Sequence, residues 1–196
     1  MTTPSKYGLH PAVAHMDAIA ANMEKKTGRS IDAWIELVKA TGLKTVKERI
    51  DWLKREHQLG RDTAMVIAEF TDGREPYDPE GMVRAMFQGP KSALLPNYER
   101  LLDRGLALGS DVMAAPCSTY VPLMRKRQFV VFKPTTRTRL DVGFALPGVT
   151  PEGRLVEAKG LGSDRITHRI GLESVDEIDA EVERWLKAAY EQDRKG

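Results

Sequence analysis

TYVPLMRKRQFVVFKPTTRTRLD, residues 119–141, joins the densest β-type sequence of the chain to its densest positive charge. Short runs of Val, Phe, Tyr and Thr bounded by charged or turn residues read as strands. Between Val112 and Leu140 stand Arg125, Lys126, Arg127, Lys133, Arg137 and Arg139 with no carboxylate, although the 196-residue chain has a formal charge of only +2. Attraction to an anionic partner therefore has to come from a local patch and not from the total field. Arg125, Lys126 and Arg127 fall between two strand-like runs, which predicts a hairpin tip. Charge at such a tip serves either phosphate contact or solubility and the blunting of edge pairing.

Working outward, DVMAAP, STYVPLM, QFVVFKP, RTRLDVGFAL, RLVEA and RITHRIGL predict five or six antiparallel strands after Gly109. Alternation sorts each strand onto two faces. In RTRLDVGFAL it puts Leu140, Val142 and Phe144 on a core face and Arg137, Arg139, Asp141 and Gly143 on the other. That second face is either ordinary solvated sheet or the wall of a site for an anionic or planar ligand. A final helix follows, with Ser174 and Glu177 as a predicted capping box and Val182, Trp185, Leu186 and Ala189 at helical spacing.

Upstream the pattern is helical. Residues 1–10 read as a flexible leader, and Pro11 suits the first turn of a helix whose apolar stripe includes Met16, Ile19 and Met23. Ser30, Thr45 with Glu48, and Gly60 punctuate three further helices, so residues 11–71 read as a four-helix bundle. Residues 72–81, with two prolines and two glycines, read as a linker before an α+β domain over residues 82–196, in which Pro96 marks the start or a kink of a helix. The fold class is thus α+β: a helical bundle, then an antiparallel sheet flanked by helices.

Composition excludes several classes. With 41% hydrophobic and 30% charged residues the chain can bury a core, and a single cysteine, Cys117, rules out an internal disulfide or a multi-thiolate zinc site. No secretory pattern and no long apolar run is found, so a cytoplasmic location without membrane partners is expected. No phosphate-binding G-x-x-x-x-G-K-[ST] loop occurs, and Gly160-Leu161-Gly162-Ser163 lacks the strand-to-helix context of a dinucleotide fingerprint and reads as a mobile loop. The four histidines show no metal spacing: His10 and His15 are five apart where a helix needs four. No metal, no cofactor and no catalytic constellation is predicted, and a non-enzymatic role is expected.

Tyr120 beside the basic strand is either a half-buried strand tyrosine or a stacking platform for bases. His168, flanked by Thr167 and Arg169, is either a structurally satisfied histidine or a group that bonds phosphate. Residues 46–70 outline a helix-turn-helix, but lysines and arginines barely outnumber acids, twelve against eleven over residues 1–75, and the second helix is apolar.

The segments TGRSIDAWIELVKATGLKTVKERIDWLKREHQLG, FQGPKSALLPNYERLL, STYVPLMRKRQFVVFKPTTRTRLDVGFAL, ITHRIGL and VDEIDAEVERWLKAAY resemble bacterial proteins that join two domains of unknown function. In those proteins a small helical domain precedes an α+β domain marked by T-Y-V, Q-F, P-[ST]-T-[KR]-T-R-[LV]-D-[LV]-G and T-H-R. Those motifs stand here at residues 119–121, 128–129, 134–143 and 167–169. The resemblance implies two domains but no reaction, cofactor or catalytic residue. The second domain is more distantly similar to small α+β proteins that include suspected DNA binders and iron-chaperone-like domains. Similar domains are also appended to restriction-type proteins, which implies a nucleic-acid context.

The sequence therefore predicts a binding module presenting Tyr120, Arg125, Arg127, Lys133, Arg137, Arg139, His168 and Arg169 to an anionic partner, nucleic acid first. The alternatives are an anionic metabolite held between sheet and helix, and a protein-protein adaptor.

Overall fold

The computed structural model describes residues 5–195. The chain divides into two compact units, one of residues 9–77 and one of residues 78–196 together with the first eight.

The first unit is helical: α1 (Pro11–Ala21), α2 (Met23–Thr27), α3 (Ile31–Ala40), α4 (Val46–His57) and α5 (Arg61–Phe70). The expected first helix is broken at Asn22, whose side-chain amide donates to the carbonyl of Ala18 and so offers the backbone a local alternative to the helical ladder. The capping box at Thr45 and Glu48 forms, with both reciprocal bonds present. Ala64, Val66, Ile67 and Ala68 of α5 are buried, and α5 packs on α1, α3 and α4. The second helix of the helix-turn-helix outline thus lies at the centre of the bundle. Arg49 is buried as well: its guanidinium chelates Asp72 at 2.6 and 2.9 Å while its Nε donates to the carbonyl of Leu43.

The second unit holds α6 (Pro79–Met86), α7 (Leu95–Leu106), α8 (Ala180–Lys195) and six strands: β1 (Met113–Ala114), β2 (Val121–Met124), β3 (Gln128–Pro134), β4 (Leu140–Phe144), β5 (Val156–Glu157) and β6 (His168–Leu172). They form one antiparallel sheet in the order β1-β2-β3-β4-β6-β5. Pro96 lies in the first turn of α7, directly after a 3-10 segment over Gly89–Leu94, so it starts the helix without kinking it. α8 starts later than the Ser174–Glu177 box predicts. Glu177 accepts instead from the amide of Glu173, a 3-10 turn intervenes, and Asp179 accepts from the amides of Glu181 and Val182. Of the expected loose leader, residues 1–4 lie outside the described residues. Tyr7 is bridged to Ala114, and its hydroxyl lies 3.0 Å from that of Tyr98. A phenol that can satisfy a buried partner orders this piece of chain.

Val130, Phe132, Leu140, Val142, Phe144 and Ile170 pack beneath Tyr98, Leu101 and Leu102 of α7 and Val182, Leu186 and Ala189 of α8. Each fully buried Leu or Phe of that layer contributes about 1.5–3 kcal/mol. Among the described residues no helix is long and apolar enough to cross a membrane.

The other face of the sheet is not simply wet. Leu161 and Ile166, from the segment after β5, cover Val131 and Ala145, with Tyr120 and Ala158 against them. Leu161, expected in a mobile loop, is 5% exposed. Gly143 makes room for this cover, because a Cβ there would lie 2.6 Å from side-chain carbons of Ile166, Leu161 and Val131. Gly143→Ala is expected to lower the urea-unfolding free energy by about 1–3 kcal/mol through overpacking.

Candidate anion-binding site

The register β3–β4–β6 places Lys133 opposite Asp141 and Asp141 opposite Gly171, with Val131, Gly143 and Arg169 two pairs along and so on the same face. Lys133, Asp141 and Arg169 therefore share the second face, at the end that Leu161 and Ile166 leave open. Asp141 is 2% exposed, which a carboxylate tolerates only when matched. Its Oδ1 takes Arg169 Nη1 at 3.0 Å and lies 3.1 Å from Arg139 Nε, while its Oδ2 accepts from the hydroxyl of Thr135 at 2.6 Å. Both arginine side chains stay about one-third exposed, at 35% and 32%. Gly171 admits this arrangement, since a Cβ there would lie 2.7 Å from Arg139 Cδ.

The turn before β4 is held by its own hydroxyls. Thr136 Oγ1 accepts from the amides of Thr138 and Arg139, leaving Arg137 exposed at the tip. Among the described residues neither Lys133 nor Arg137 enters an ion pair. Beside this end lies a pocket of about 460 Å³ whose lining includes Lys91, Lys133, Ser118, Thr119, Thr135 and Gln88 and no carboxylate. Lys91 anchors there by donating to the carbonyl of Pro134 at 2.6 Å.

Tyr120 stands one step beyond the Val121–Phe132 pair, beside Lys133, half-buried at the border between the covered and open parts of the face. Burial and its bond with Cys117 push the phenol up to about 12, and burial also raises the Cys117 thiol. A thiol raised this way is a poor nucleophile at neutral pH.

Three of the predicted residues are elsewhere. Arg125 pairs with Asp111 and lies over the Tyr190 ring, and Arg127 lies 3.4 Å from Asp193 of α8. Both arginines of the hairpin tip are thus paired with acids, and Arg127 stands six residues from Lys133, roughly 20 Å along the strand. His168 points to the α-helix side of the sheet, because it pairs with Phe144 and alternates with Arg169. Lys91 and Thr135 escaped the sequence reading, as an isolated lysine and a turn threonine give no periodic signal. Among the described residues no cluster of three His, Cys, Asp or Glu could hold a metal.

Fold and site together define a protein with a helical unit followed by an α+β unit. The sequence model of a family described as Domain of unknown function (DUF5655) matches residues 83–193, more than half of the chain, and the chain belongs to that family. A second, Domain of unknown function (DUF4287), matches residues 16–73. No curated protein and no solved structure matches the chain.

Three outcomes are expected. Asp141→Asn, which leaves two arginines without their anion, should cost about 1–3 kcal/mol in denaturant unfolding. Cys117 should alkylate more slowly in the native protein than in the urea-unfolded chain, because burial holds its proton on. The phenolate absorbance lost in Tyr120→Phe should belong to a step above pH 11 for the same reason.

Proposed function

We propose that this chain is an anion-binding module whose partner is nucleic acid, bound at the open end of the second sheet face. The observation that carries this reading is the convergence of Lys133, Arg139 and Arg169 around the buried carboxylate of Asp141. Three cations against one acid leave the patch positive, and the pairing fixes two guanidinium groups while a third of each side chain stays exposed. The planar guanidinium fork suits phosphate oxygens. Exposed Arg137 extends the patch, and the half-buried Tyr120 borders it with an aromatic ring on which a base can stack. Arg125, Arg127 and His168 have no part in it.

A second reading, a compact phosphate-bearing metabolite, is favoured by the carboxylate-free pocket lined by Lys91 and Lys133.

Fluorescence anisotropy with single-stranded and duplex oligonucleotides over a salt series tests both. Binding should weaken steeply with salt, and Lys133→Gln, Arg139→Gln and Arg169→Gln should each reduce the log–log slope by about 0.7–0.9. Arg127→Gln should leave it unchanged. Salt-insensitive or absent binding on both nucleic acids sinks the first reading. Thermal stabilisation by phosphate-bearing metabolites without oligonucleotide binding would support the second.

A further inference from the structure

Thr135 stands at a junction. Its hydroxyl donates to Asp141 Oδ2 at 2.6 Å, which ties it to the carboxylate that Arg139 and Arg169 also approach, and the same residue walls the pocket of about 460 Å³ at the end of β3. Lys133 belongs to both places as well, since it pairs with Asp141 across the sheet and lines the pocket. The basic patch and the pocket are therefore one surface, an open sheet face that runs into a recess.

The recess differs from the face in its chemistry. On the face two guanidinium groups share one carboxylate, whereas the recess has two ammonium groups, Lys91 and Lys133, and no carboxylate. Lys91 is fixed there, because its Nζ donates at 2.6 Å to the carbonyl of Pro134, 43 residues further along the chain. An ammonium group has three N–H donors, so that bond leaves two. Ser118, Thr119 and Gln88, all exposed, add hydroxyls and an amide to the wall. The volume lies within the roughly 300–1,000 Å³ of small-molecule sites. An internal phosphate of a nucleic acid carries one charge and has chain on both sides, so it lies across an open face. A terminal phosphomonoester carries about −1.5 to −2 charge and three acceptor oxygens, which two ammonium groups match, and a chain end can enter a recess.

We propose that the recess holds the terminal phosphate of a nucleic-acid strand whose next phosphates lie on the Arg139 and Arg169 face, so that this chain recognises strand ends. The proposal deepens the nucleic-acid reading and rests on it.

The test is fluorescence anisotropy of the full-length chain with single-stranded DNA and RNA of about ten nucleotides, a length within the usual single-strand site sizes. Probes carry a 5′-phosphate, a 3′-phosphate or a hydroxyl at that end, with the dye at the other end. A phosphate at one terminus should tighten binding about tenfold or more over the matching hydroxyl probe. The terminus that gains gives the direction in which the strand leaves the recess. Lys91→Gln should bring that ratio close to one, whereas Arg137→Gln should weaken both probes alike and preserve it. The wild-type comparison requires no variant to fold, and Ser118→Ala combined with Thr119→Val, both at exposed positions, should also lower the ratio. Equal binding of phosphate and hydroxyl ends at both termini would overturn this proposal and leave the nucleic-acid reading standing, while absent binding of every oligonucleotide would overturn both. An undiminished ratio in Lys91→Gln would overturn the proposal too. So would a nucleoside monophosphate that binds as tightly as the phosphorylated strand, which would assign the recess to a metabolite.

Discussion

Asp141 is a carboxylate in a central strand, enclosed by β3 on one side and β6 on the other, and the second unit is arranged around the need to match it. Removing such a group from water is costly unless hydrogen bonds and opposite charge replace the solvent. The partners come from three places: Thr135 from the turn, Arg139 from the approach to β4, and Arg169 from β6, 28 residues further on. Turn geometry, strand register and the placement of cations are therefore one constraint. A slip of one residue in β4 would carry the carboxylate into the apolar face and Val142 out of it.

The second face divides because of what stands beside that carboxylate. Where Gly143 lacks a side chain, Leu161 and Ile166 descend onto Val131 and make a small satellite core. Where Arg139 crosses above Gly171, charge keeps the face open. Two glycines on neighbouring strands thus serve opposite ends, one admitting hydrocarbon and the other a guanidinium stem. Tyr120 sits at the seam, its ring on the dry side and its neighbour Lys133 on the wet side.

Much of this was legible in the sequence because it is local. All six strands fall within the runs rich in Val, Phe, Thr and Ile, the Thr45–Glu48 box closes as its spacing requires, and Pro96 begins its helix. The core side of β4 followed from alternation alone. What escaped depends on contacts distant in sequence. Alternation assigned Arg139 and Asp141 to one face, but not the arrival of Arg169 or the cover from Leu161. In α4 the apolar Val46 is 38% exposed while the charged Arg49 is buried, because carbonyls and Asp72 from other segments can satisfy a guanidinium. Ser174 and Glu177 have the letters of a cap, but Asp179 competes for the same role closer to the apolar run. His168 was grouped with the cations by adjacency, and the period of the strand sends it to the opposite side from Arg169.

Asp193, 3% exposed on the last helix, faces both Arg127 of the hairpin and Arg165 of the segment that lids the satellite core. Arg165 in turn donates to the backbone of Gln128 at the foot of β3. One acid thereby clasps a hairpin, a lid and a helix at a single point. Loosening the final turn of α8 would be felt on the far side of the sheet, as an unfastening of the apolar cover and not as fraying of a terminus.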